Sequence, residues 1–566
     1  MCSVCGIVSK EPDLSNTSTV LSMLRRMHHR GPDGCGVHTG GLTVHATDPD
    51  ALERALREHA APGRVLLAQS RLAITGARDA HQPLVSPDGR LALAHNGEVY
   101  NHRELSRMLG HGTPADTDSD SETVLRVLEH HHTATGGDLV EAMRRTVAMA
   151  SGMYVLAATD GTRVVLVRDA IGKKPLYYVS GARCFAFASE RKALVAVARA
   201  ESAPIERLLP GELLTCGPDL MVSRETVEHL SVPAVDTLDM ETATRQYQEA
   251  LEGAIRRRTA GLTRAAVLFS GGVDSVLVAR LLQQAGVDVT GYVAGVNGSS
   301  DVQHAVQVAK EMGLPVDVSL VDEALVEAHL PRILDAAELH GPMMAEVSIP
   351  MWFASKAAHE DGHRVIFTGQ AADELFAGYD WYRTIVGAHG GATLHARLWE
   401  DVRALPLDTL EREDRITMAW SLEMRAPFLD ADVIRAAMRM APSLKITGPD
   451  DVSRKHPHRE VALRVGVPRS VAYREKVPAQ DGASVHELLE RVAARRFPDA
   501  APDADVPDFG SNYRYRDAPG TYGSRRVRAL LAAVVAENGI VVAERDGAAL
   551  TPARQVAVAV KVQQRA

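Results

Sequence analysis

The sequence contains little cysteine and no long uncharged apolar run. Five cysteines are spread over 566 residues, and this odd count in a large chain predicts a reducing cytoplasm rather than a disulfide framework. No uncharged apolar stretch reaches the roughly 18 residues of a membrane span. The N-terminus also lacks the basic region and the apolar stretch of a signal peptide. We therefore expect a cytoplasmic protein that has no membrane partner.

An excess of positive charge is also missing. The formal net charge of -9 at pH 7 argues against a nucleic-acid partner. The hydrophobic content of 45% and the charged content of 24% are typical of globular proteins. Because 566 residues are too many for one hydrophobic core, two or three domains are expected.

A glycine-rich segment at 270–275, Ser-Gly-Gly-Val-Asp-Ser, is the feature around which the chain is organised. It follows the apolar run 265–269 and precedes a helix-like stretch, 275–284. Such a strand, bend and helix can cradle phosphate, because backbone N–H groups and the helix dipole attract an anion. A Walker loop is excluded, since no Gly-Lys-Ser/Thr follows. An ordinary strand–turn–helix corner is the alternative.

Asp274 is unusual in a phosphate loop, because a carboxylate repels phosphate. Its presence indicates Mg²⁺, which bridges carboxylate and phosphate oxygens. With this aspartate the segment resembles the pyrophosphate loop of ATP pyrophosphatases, which release AMP and pyrophosphate. The resemblance implies ATP as a substrate and Mg²⁺ as its metal.

The N-terminus begins Met-Cys-Ser-Val-Cys-Gly-Ile-Val. Cys2 is small, so removal of Met1 is expected and would leave Cys2 with a free α-amine of pKa about 8. A base and a nucleophile would then belong to one residue. A buried strand cysteine is one alternative, and a redox or metal pair with Cys5 is another. Zinc is disfavoured, because a structural site needs four ligands and no second Cys-x-x-Cys exists.

Further motifs follow in the N-terminal third. The polar segment 29–34 predicts a loop, and Arg71 follows a predicted strand at 65–70. Asn96-Gly97 predicts a turn after the apolar stretch 91–94. An acidic loop that contains Asp120 leads into a predicted helix at 122–130. Each motif alone indicates only a turn, a surface arginine or a helix cap.

Taken together, these motifs resemble, in order and spacing, the glutaminase domain of class II (N-terminal-nucleophile) amidotransferases. The resemblance implies that Cys2 attacks the side-chain amide of glutamine and that Asn96 and Gly97 hold the oxyanion. Arg71 would pair with the α-carboxylate and Asp120 with the α-ammonium group. The implied glutamine-binding residues are Arg71, Asn96, Gly97, Glu98 and Asp120.

The fold of this part is predicted from its strands. The stretches that predict strands are 162–168, 176–179, 184–188 and 212–215, and they fit an antiparallel sandwich. The resemblance implies the αββα sandwich of N-terminal-nucleophile hydrolases, with the glutaminase domain over 2–215.

After a predicted linker at 233–238, the chain alternates strands and helices. The predicted elements are a helix at 241–258, strands at 287–294, 316–320 and 365–368, and a helix at 301–312. This order predicts a parallel α/β sheet with ligands at the carboxyl ends of its strands. Asp373 follows one strand and is placed to be the second carboxylate on Mg²⁺; an acidic residue at a helix N-terminus is the alternative.

This half is similar to the synthetase domain of glutamine-dependent asparagine synthetases, through the segments 414–419, 422–430 and 473–476 and through Lys455 with Arg459-Glu460. The resemblance implies an ATP-pyrophosphatase-like domain over 235–495 and a C-terminal extension of unknown role over 496–566. Lys476 would neutralise charge on the pyrophosphate leaving group, although a surface lysine is the alternative. The implied ATP contacts are Leu268, Ser270, Gly271, Gly272, Asp274, Ser275, Ala294, Thr368 and Gly369.

One motif departs from that family. Bacterial and animal asparagine synthetases have Gly-Glu-Gly-Ser-Asp-Glu where this chain has Gly-Gln-Ala-Ala-Asp-Glu at 369–374. Gln370 cannot act as a carboxylate base, although its amide can bind a substrate. The acceptor is therefore an open question, whereas the ATP chemistry is not affected.

The predicted function is glutamine- and ATP-dependent amide synthesis, with ammonia passed internally between two sites. Aspartate is the default acceptor, which would give asparagine. The alternatives are a specialised ligase that acts on another carboxylate and, in a different class, a non-catalytic homologue. The intact set of Cys2, Arg71, Asn96 and Asp120 argues against the non-catalytic homologue. A homodimer is left open as the oligomeric state.

Overall fold

The structure is a computed structural model, and it describes residues 2–12, 15–59, 63–74, 81–109, 119–228, 230–338, 341–474, 483–498 and 525–540. The glutaminase-like half extends to residue 228, and the described stretch 230–239 connects it to the second half. Asp236 in this connection accepts a hydrogen bond from Arg439 at 2.7 Å, which attaches the connection to the second half.

The first half is made of antiparallel strands with helices outside them. Its strands are β1 (Ser3–Ser9), β2 (Cys35–Thr39), β3 (Leu42–Ala46), β4 (Val65–Ser70), β5 (Leu84–Val85), β6 (Ala92–Val99), β7 (Gly152–Thr159), β8 (Val164–Arg168), β9 (Tyr177–Ser180), β10 (Cys184–Ala188), β11 (Glu206–Arg207), β12 (Glu212–Cys216) and β13 (Val222–Thr226). Its helices are α1 (Ser15–Met27), α2 (Pro49–His59), α3 (His102–Met108), α4 (Asp120–Ala134), α5 (Leu139–Met149) and α6 (Val195–Glu201).

These strands form two sheets that pack face to face. One sheet has the order β11-β9-β10-β1-β4-β2-β3 and the other β13-β12-β8-β7-β6-β5. The two-residue period of β1 sends Val4 and Val8 between the sheets and turns Cys5 and Ile7 toward α1 and α2. Helices α3, α4 and α5 cover the outer face of the other sheet. The predicted αββα sandwich is therefore confirmed.

The predicted turn at Asn96-Gly97 is wrong. Both residues lie inside β6, where Asn96 pairs with Val155 and Gly97 with Tyr154. Gly97 has φ +147°, and a Cβ there would clash with the carbonyl oxygen of Met153. The glycine therefore allows β7 to approach closely instead of reversing the chain.

The second half alternates helices and strands. Its strands are β14 (Arg264–Leu268), β15 (Asp288–Gly295), β16 (Val316–Leu320), β17 (Val365–Phe367) and β18 (Glu423–Arg425). Its helices are α7 (Met240–Thr259), α8 (Val273–Gln284), α9 (Ser300–Met312), α10 (Glu323–Ala337), α11 (Pro342–Glu360), α12 (Ala372–Phe376), α13 (Trp381–Leu405), α14 (Glu411–Met418), α15 (Ala431–Arg439), α16 (Pro442–Lys445), α17 (His456–Arg464), α18 (Arg469–Ala472), α19 (Val485–Arg496) and α20 (Arg525–Glu537).

The five strands of this half form a parallel sheet, as predicted. Their order is β16-β15-β14-β17-β18, so the chain winds outward from β14 in one direction and resumes on its other side with β17. The strand order therefore reverses between β14 and β17, where α/β sheets open a crevice for ligands. Helix α20 packs on the same core through Val527 and Leu530. Within the described ranges, no helix is both long and apolar enough to cross a bilayer.

Buried ion pairs join the two halves at α14. The Asp414 carboxylate lies 2.7 Å from Arg30 and 3.2 Å from Lys174, both of the first half. One turn earlier, Glu411 lies 3.0 Å from Arg168. All five side chains are nearly inaccessible to solvent. Since a buried charge is costly when it is unpaired, this geometry holds the halves in one relative position.

We expect Asp414→Ala to destabilise the protein by about 3–5 kcal/mol, because Lys174 would lose its carboxylate and stay buried. Urea unfolding followed by tryptophan fluorescence measures this, since all four tryptophans lie in the second half. The control is Arg25→Ala, which removes a solvent-exposed pair with Asp50 and should change stability by less than about 0.5 kcal/mol. Equal effects of the two substitutions would contradict a structural role for the buried pairs.

Candidate active sites

The thiol at the N-terminus is held in the first half beside β6. Cys2 is buried directly before β1, and its backbone nitrogen donates to Oδ1 of Asn96 at 3.2 Å. This nitrogen would become the α-amine after removal of Met1. The Arg30 side chain donates to the carbonyl oxygen of Cys2 at 3.4 Å, and the Asn96 side chain contacts Ser189 at 3.5 Å. Cys2 and Asn96, which are 94 residues apart in sequence, are thus brought together by the fold.

Cys5 does not share this site. Its side chain lies with the apolar residues under α1, and burial raises the pKa of its thiol. All five cysteines are free. Within the described residues there is also no cluster of three or more histidine, cysteine or acidic side chains able to hold a metal. Cys5 therefore packs in the hydrophobic core, whereas Cys2 contacts Asn96.

The other predicted glutamine-binding residues surround the same strand. Arg71 is buried directly after β4, and its backbone N–H donates to Gly34 O at 2.8 Å. Asp120 begins α4, and its Oδ2 accepts a hydrogen bond from the backbone of Val99, at the end of β6, at 2.8 Å. Glu98 is buried, and burial together with the neighbouring Glu423 carboxylate raises its pKa.

The glycine-rich loop lies between β14 and α8, at the crevice of the parallel sheet. Gly271 has φ +72°, and a Cβ there would come within 2.9 Å of the His304 ring and 3.0 Å of Ala305. Ser270 Oγ accepts from the Gly272 N–H at 3.3 Å and lies 3.3 Å from Ser275 Oγ. The loop is therefore closely folded, with α8 beginning at Val273 and its N-terminus at the bend.

The remaining predicted ATP contacts lie around this loop. Leu268 ends β14, Ala294 lies at the end of β15, and Thr368 and Gly369 follow β17. A Cβ on Gly369 would lie 2.9 Å from Cβ of Asp274, so the two loops touch. The structure therefore brings these residues together at the carboxyl edge of the sheet.

Asp274 and Asp373 converge on one cation. The Lys455 ammonium nitrogen lies 2.8 Å from both oxygens of Asp274 and 2.6 Å from Oδ1 of Asp373. The two carboxylates lie in the first turns of α8 and α12, the helices that follow β14 and β17, and the strand order makes those two strands neighbours. Gly378 packs against the same pair, since a Cβ there would clash with Asp373 and Lys455. The point where these carboxylates meet is therefore suited to a positive charge.

A buried histidine supports Asp274 from behind. Nε2 of His458 lies 3.0 Å from Asp274 Oδ1, and its Nδ1 lies 2.8 Å from the Tyr247 hydroxyl. Burial lowers the pKa of His458, although the Asp274 carboxylate opposes that shift. A neutral imidazole whose Nδ1 accepts a hydrogen bond from the Tyr247 hydroxyl would donate from Nε2 to Asp274.

Arg425 connects the two sites. Its guanidinium lies 3.4 Å from Glu98 of the first half and 2.5 Å from Glu423. Its carbonyl oxygen accepts from the Thr368 N–H at 3.0 Å, at the edge of the ATP site. The segment that ends β6 is thus two contacts away from the crevice of the parallel sheet.

Some functional candidates escaped the sequence analysis. Arg30 was part of a predicted loop, and Lys455 and Arg425 lay in matched segments without an assigned role. A signal for Arg425 was available, because it follows Glu423 by two residues in a strand and shares a face with it. Lys476 lies outside the described residues, and its role stays a prediction.

Two family models match the chain. The model described as asparagine synthase matches residues 246–392 and 387–531, and the model described as a glutamine amidotransferase domain matches residues 55–241.

Individual relatives match over nearly the full length. A putative asparagine synthetase [glutamine-hydrolyzing] 1 of Methanocaldococcus jannaschii is 30% identical over 538 residues, covering 88% of this chain and 96% of the relative. Asparagine synthetase B [glutamine-hydrolyzing] of Escherichia coli is 27% identical over 548 residues, covering 91% and 90%. Among solved structures, the glutamine phosphoribosylpyrophosphate amidotransferase of B. subtilis aligns with 19% identity and a TM-score of 0.35, covering 56% of this chain and 65% of that one.

We expect Gly97→Ala to reduce glutamine hydrolysis by about 10²–10³-fold, because the added Cβ would push β6 away from β7 and displace an oxyanion donor. Glutamate release measures the loss. The matched control is Gly253→Ala on α7, where a Cβ meets only arginine side-chain ends at 3.6 Å. Retained hydrolysis by a folded Gly97→Ala protein would contradict an oxyanion role for this segment.

Proposed function

Because this chain belongs to the asparagine synthase family, we propose that it is an ATP-dependent ligase that transfers the amide nitrogen of glutamine to a carboxylate. The single observation that carries the proposal is the pair of sites joined through Arg425: a buried N-terminal thiol beside Asn96, and a glycine-rich loop with two converging carboxylates. The family match covers both halves of the chain.

The first reaction would be glutamine hydrolysis at Cys2. The Cys2 sulfur attacks the side-chain amide carbon, and its α-amine takes the thiol proton and passes it to the leaving ammonia. Asn96 and Gly97 would stabilise the oxyanion, while Arg71 and Asp120 would hold the α-carboxylate and the α-ammonium group. Water then cleaves the thioester and releases glutamate.

Ammonia would next travel through the interface. Two sets of contacts support a short internal path: Glu98 to Arg425 to Thr368, and Cys2 to Arg30 to Asp414. Because the interface is lined by buried, paired charges, a neutral molecule would cross it more easily than an ion. We therefore propose that nitrogen moves as ammonia rather than as ammonium.

At the second site the acceptor carboxylate would attack the α-phosphorus of ATP and release pyrophosphate. The glycine-rich loop would hold the pyrophosphate portion, with Leu268, Ala294, Thr368 and Gly369 around the nucleotide. Ammonia then attacks the acyl carbon, the bond to AMP breaks, and the amide forms. We propose that Lys476 stabilises the leaving pyrophosphate.

Mg²⁺ fits the pair Asp274 and Asp373, because their oxygens already converge on the Lys455 ammonium group. Carboxylate oxygens are ligands that this ion prefers, and phosphate oxygens and water supply the rest of its shell. When bound, the ion would neutralise charge on the phosphates. In its absence Lys455 keeps the two carboxylates together.

Aspartate is the acceptor that we propose first, with asparagine as the product. A carboxylate other than aspartate is the second candidate, and Gln370 favours it, because this residue occupies the edge of the crevice with a neutral amide. We propose a cytoplasmic location, since the Cys2 thiol must stay reduced, and a homodimer remains a prediction.

The test is to supply glutamine and ATP, screen carboxylates beginning with L-aspartate, and measure AMP and the amide. Absence of acceptor-dependent AMP with every carboxylate would overturn the proposal.

We expect Cys2→Ala to abolish glutamine-driven amide synthesis and to leave ammonia-driven synthesis within about threefold of wild type, because only the first site loses its nucleophile. Amide formation is measured with each nitrogen donor. The control, Cys184→Ala, changes a cysteine at the start of β10 and should behave as wild type. Loss of both activities in a folded Cys2→Ala protein would argue against two separate sites.

We expect Asp274→Asn to lower acceptor-dependent AMP formation by about 100-fold or more, since one carboxylate of the converging pair becomes neutral. Glutamine hydrolysis should persist, and both are assayed on the same preparation. The control is Asp288→Asn, an exposed residue at the amino end of β15, the opposite edge of the sheet. Unchanged AMP formation would contradict the role of Asp274.

A further inference from the structure

A buried carboxylate lies next to Gln370. Glu413 of α14 has no solvent exposure, and its Oε1 accepts a hydrogen bond from the Gln370 side-chain amide at 2.5 Å. Gln370 itself is half-buried and follows Gly369, which packs against Asp274 of the glycine-rich loop. Glu413 is therefore separated from the crevice by a single side chain.

This carboxylate is incompletely paired. Arg412 lies 3.3 Å from its Oε1, whereas its Oε2 has no hydrogen-bond partner among the residues that the structure describes. Burial raises the pKa of Glu413 to about 7, and the Arg412 charge only partly opposes that shift. Burying this glutamate lowers the stability of the fold, because an apolar side chain of similar size would avoid the free-energy cost of desolvating a carboxylate. A purely structural role therefore does not account for Glu413.

The direction of Glu413 on its helix is informative. Successive residues of an α-helix are about 100° apart, so Glu411 and Arg415 lie on the side opposite Glu413. Those two residues pair with Arg168 and Glu338 at the interface between the halves. Around Glu413, the facing groups are Arg412 on its own helix, the neutral amide of Gln370, and, through Arg412, the Met344 sulfur of α11.

Amide formation requires a proton acceptor at this place. When ammonia attacks the acyl carbon, the nitrogen carries three protons and a positive charge, and one proton must leave as the amide forms. Gln370 cannot accept it as a base. Among the nearby carboxylates, Asp274 and Asp373 are paired with Lys455. Glu374 accepts from Tyr379 at 2.8 Å, and its Oε2, like that of Glu413, has no hydrogen-bond partner among the residues that the structure describes. Glu374 adjoins Asp373 of the converging pair, whereas Glu413 is the carboxylate in contact with Gln370.

We propose that Glu413 is the proton acceptor of the amide-forming step and that Gln370 holds it in position. In this step the nitrogen–carbon bond forms, the bond from carbon to AMP breaks, and one proton moves from nitrogen to Oε2 of Glu413. The inference depends on the proposed function, because it needs an activated acyl carbon and ammonia. A carboxylate with a pKa near neutrality suits this role, since it is ionised before the reaction and basic enough to bind a proton.

The test compares Glu413→Gln with wild type in two reactions, ammonia-driven amide formation and acceptor-dependent ATP–pyrophosphate exchange. The acceptor is L-aspartate or, if wild type does not use it, the carboxylate that gives the fastest AMP release. We expect ammonia-driven amide formation to fall by about 100-fold or more. Acceptor-dependent ATP–pyrophosphate exchange, which stops before ammonia attacks, should stay within about threefold of wild type. The control, Glu360→Gln, changes an exposed glutamate at the end of α11.

A pH profile separates proton transfer from a structural role. At constant free ammonia, the wild-type amide rate should rise through about pH 7 as Glu413 loses its proton, and this rise should be absent in Glu413→Gln. The exchanged pair, Gln370→Glu with Glu413→Gln, keeps one carboxylate and one amide in contact. Its amide-forming rate should be at least about tenfold higher than that of Glu413→Gln alone. It also tests the proposal if the single variant does not fold.

The outcomes are distinct. An unchanged amide rate in Glu413→Gln, or loss of exchange together with amide formation in a folded protein, would overturn the proton-acceptor role. A folded exchanged pair whose amide-forming rate is no higher than that of Glu413→Gln would also overturn the proton-acceptor role. Absence of exchange in wild type with every carboxylate would instead be a failure of the proposed function.

Discussion

The arrangement of this protein depends on the buried pairing of α14 with cations of the other half. Every residue of that helix is buried, and Asp414 is shared between Arg30 and Lys174. A shared buried carboxylate tolerates little displacement, because any opening of the interface leaves unpaired charges away from water. The relative position of the glutaminase-like sandwich and the parallel sheet is thereby restricted to one arrangement.

The same helix is part of both sites. Arg30 binds the Cys2 carbonyl oxygen and Asp414, while the adjacent Glu413 binds Gln370 at the crevice. Arg425 makes a second connection, from Glu98 to the backbone of Thr368. A change at the thiol therefore has two short routes of contact to the nucleotide site. Contacts of this kind suit an enzyme whose intermediate must not escape between two reactions.

The charges in the crevice have separate tasks. Lys455 keeps Asp274 and Asp373 together, and His458 and Tyr247 support Asp274 from behind. Glu413 stands apart from this group, and among the described residues its charged partner is the adjacent Arg412. Burial raises the pKa of Glu413 to about 7, because the Arg412 charge only partly opposes the cost of ionising a buried carboxylate.

The sequence by itself determined much of the fold and part of the site. The strand-like stretches of the first half fitted an antiparallel sandwich, and the alternation of strands and helices predicted the parallel sheet, because these signals depend on residues close in sequence. The αββα arrangement of the first half came from the family resemblance. Cys2 and Asp274 could be proposed because their motifs are local and chemically unusual, Asp373 was proposed from its place after a predicted strand, and the role of Asn96 came from the family resemblance. The same local reasoning failed at Asn96-Gly97. This dipeptide is typical of a turn, but its pairing with the neighbouring strand β7 holds it in an extended strand. Only the tertiary structure decided that Lys455 joins two aspartates, that Arg425 bridges the halves and that Glu413 meets Gln370. Gln370 and Glu413 are 43 positions apart in sequence, and Glu98 and Arg425 are 327 apart. Lys455 is 82 positions from Asp373 and 181 from Asp274. Only the folding of the chain brings residues at such separations together, so no local sequence pattern could predict these contacts.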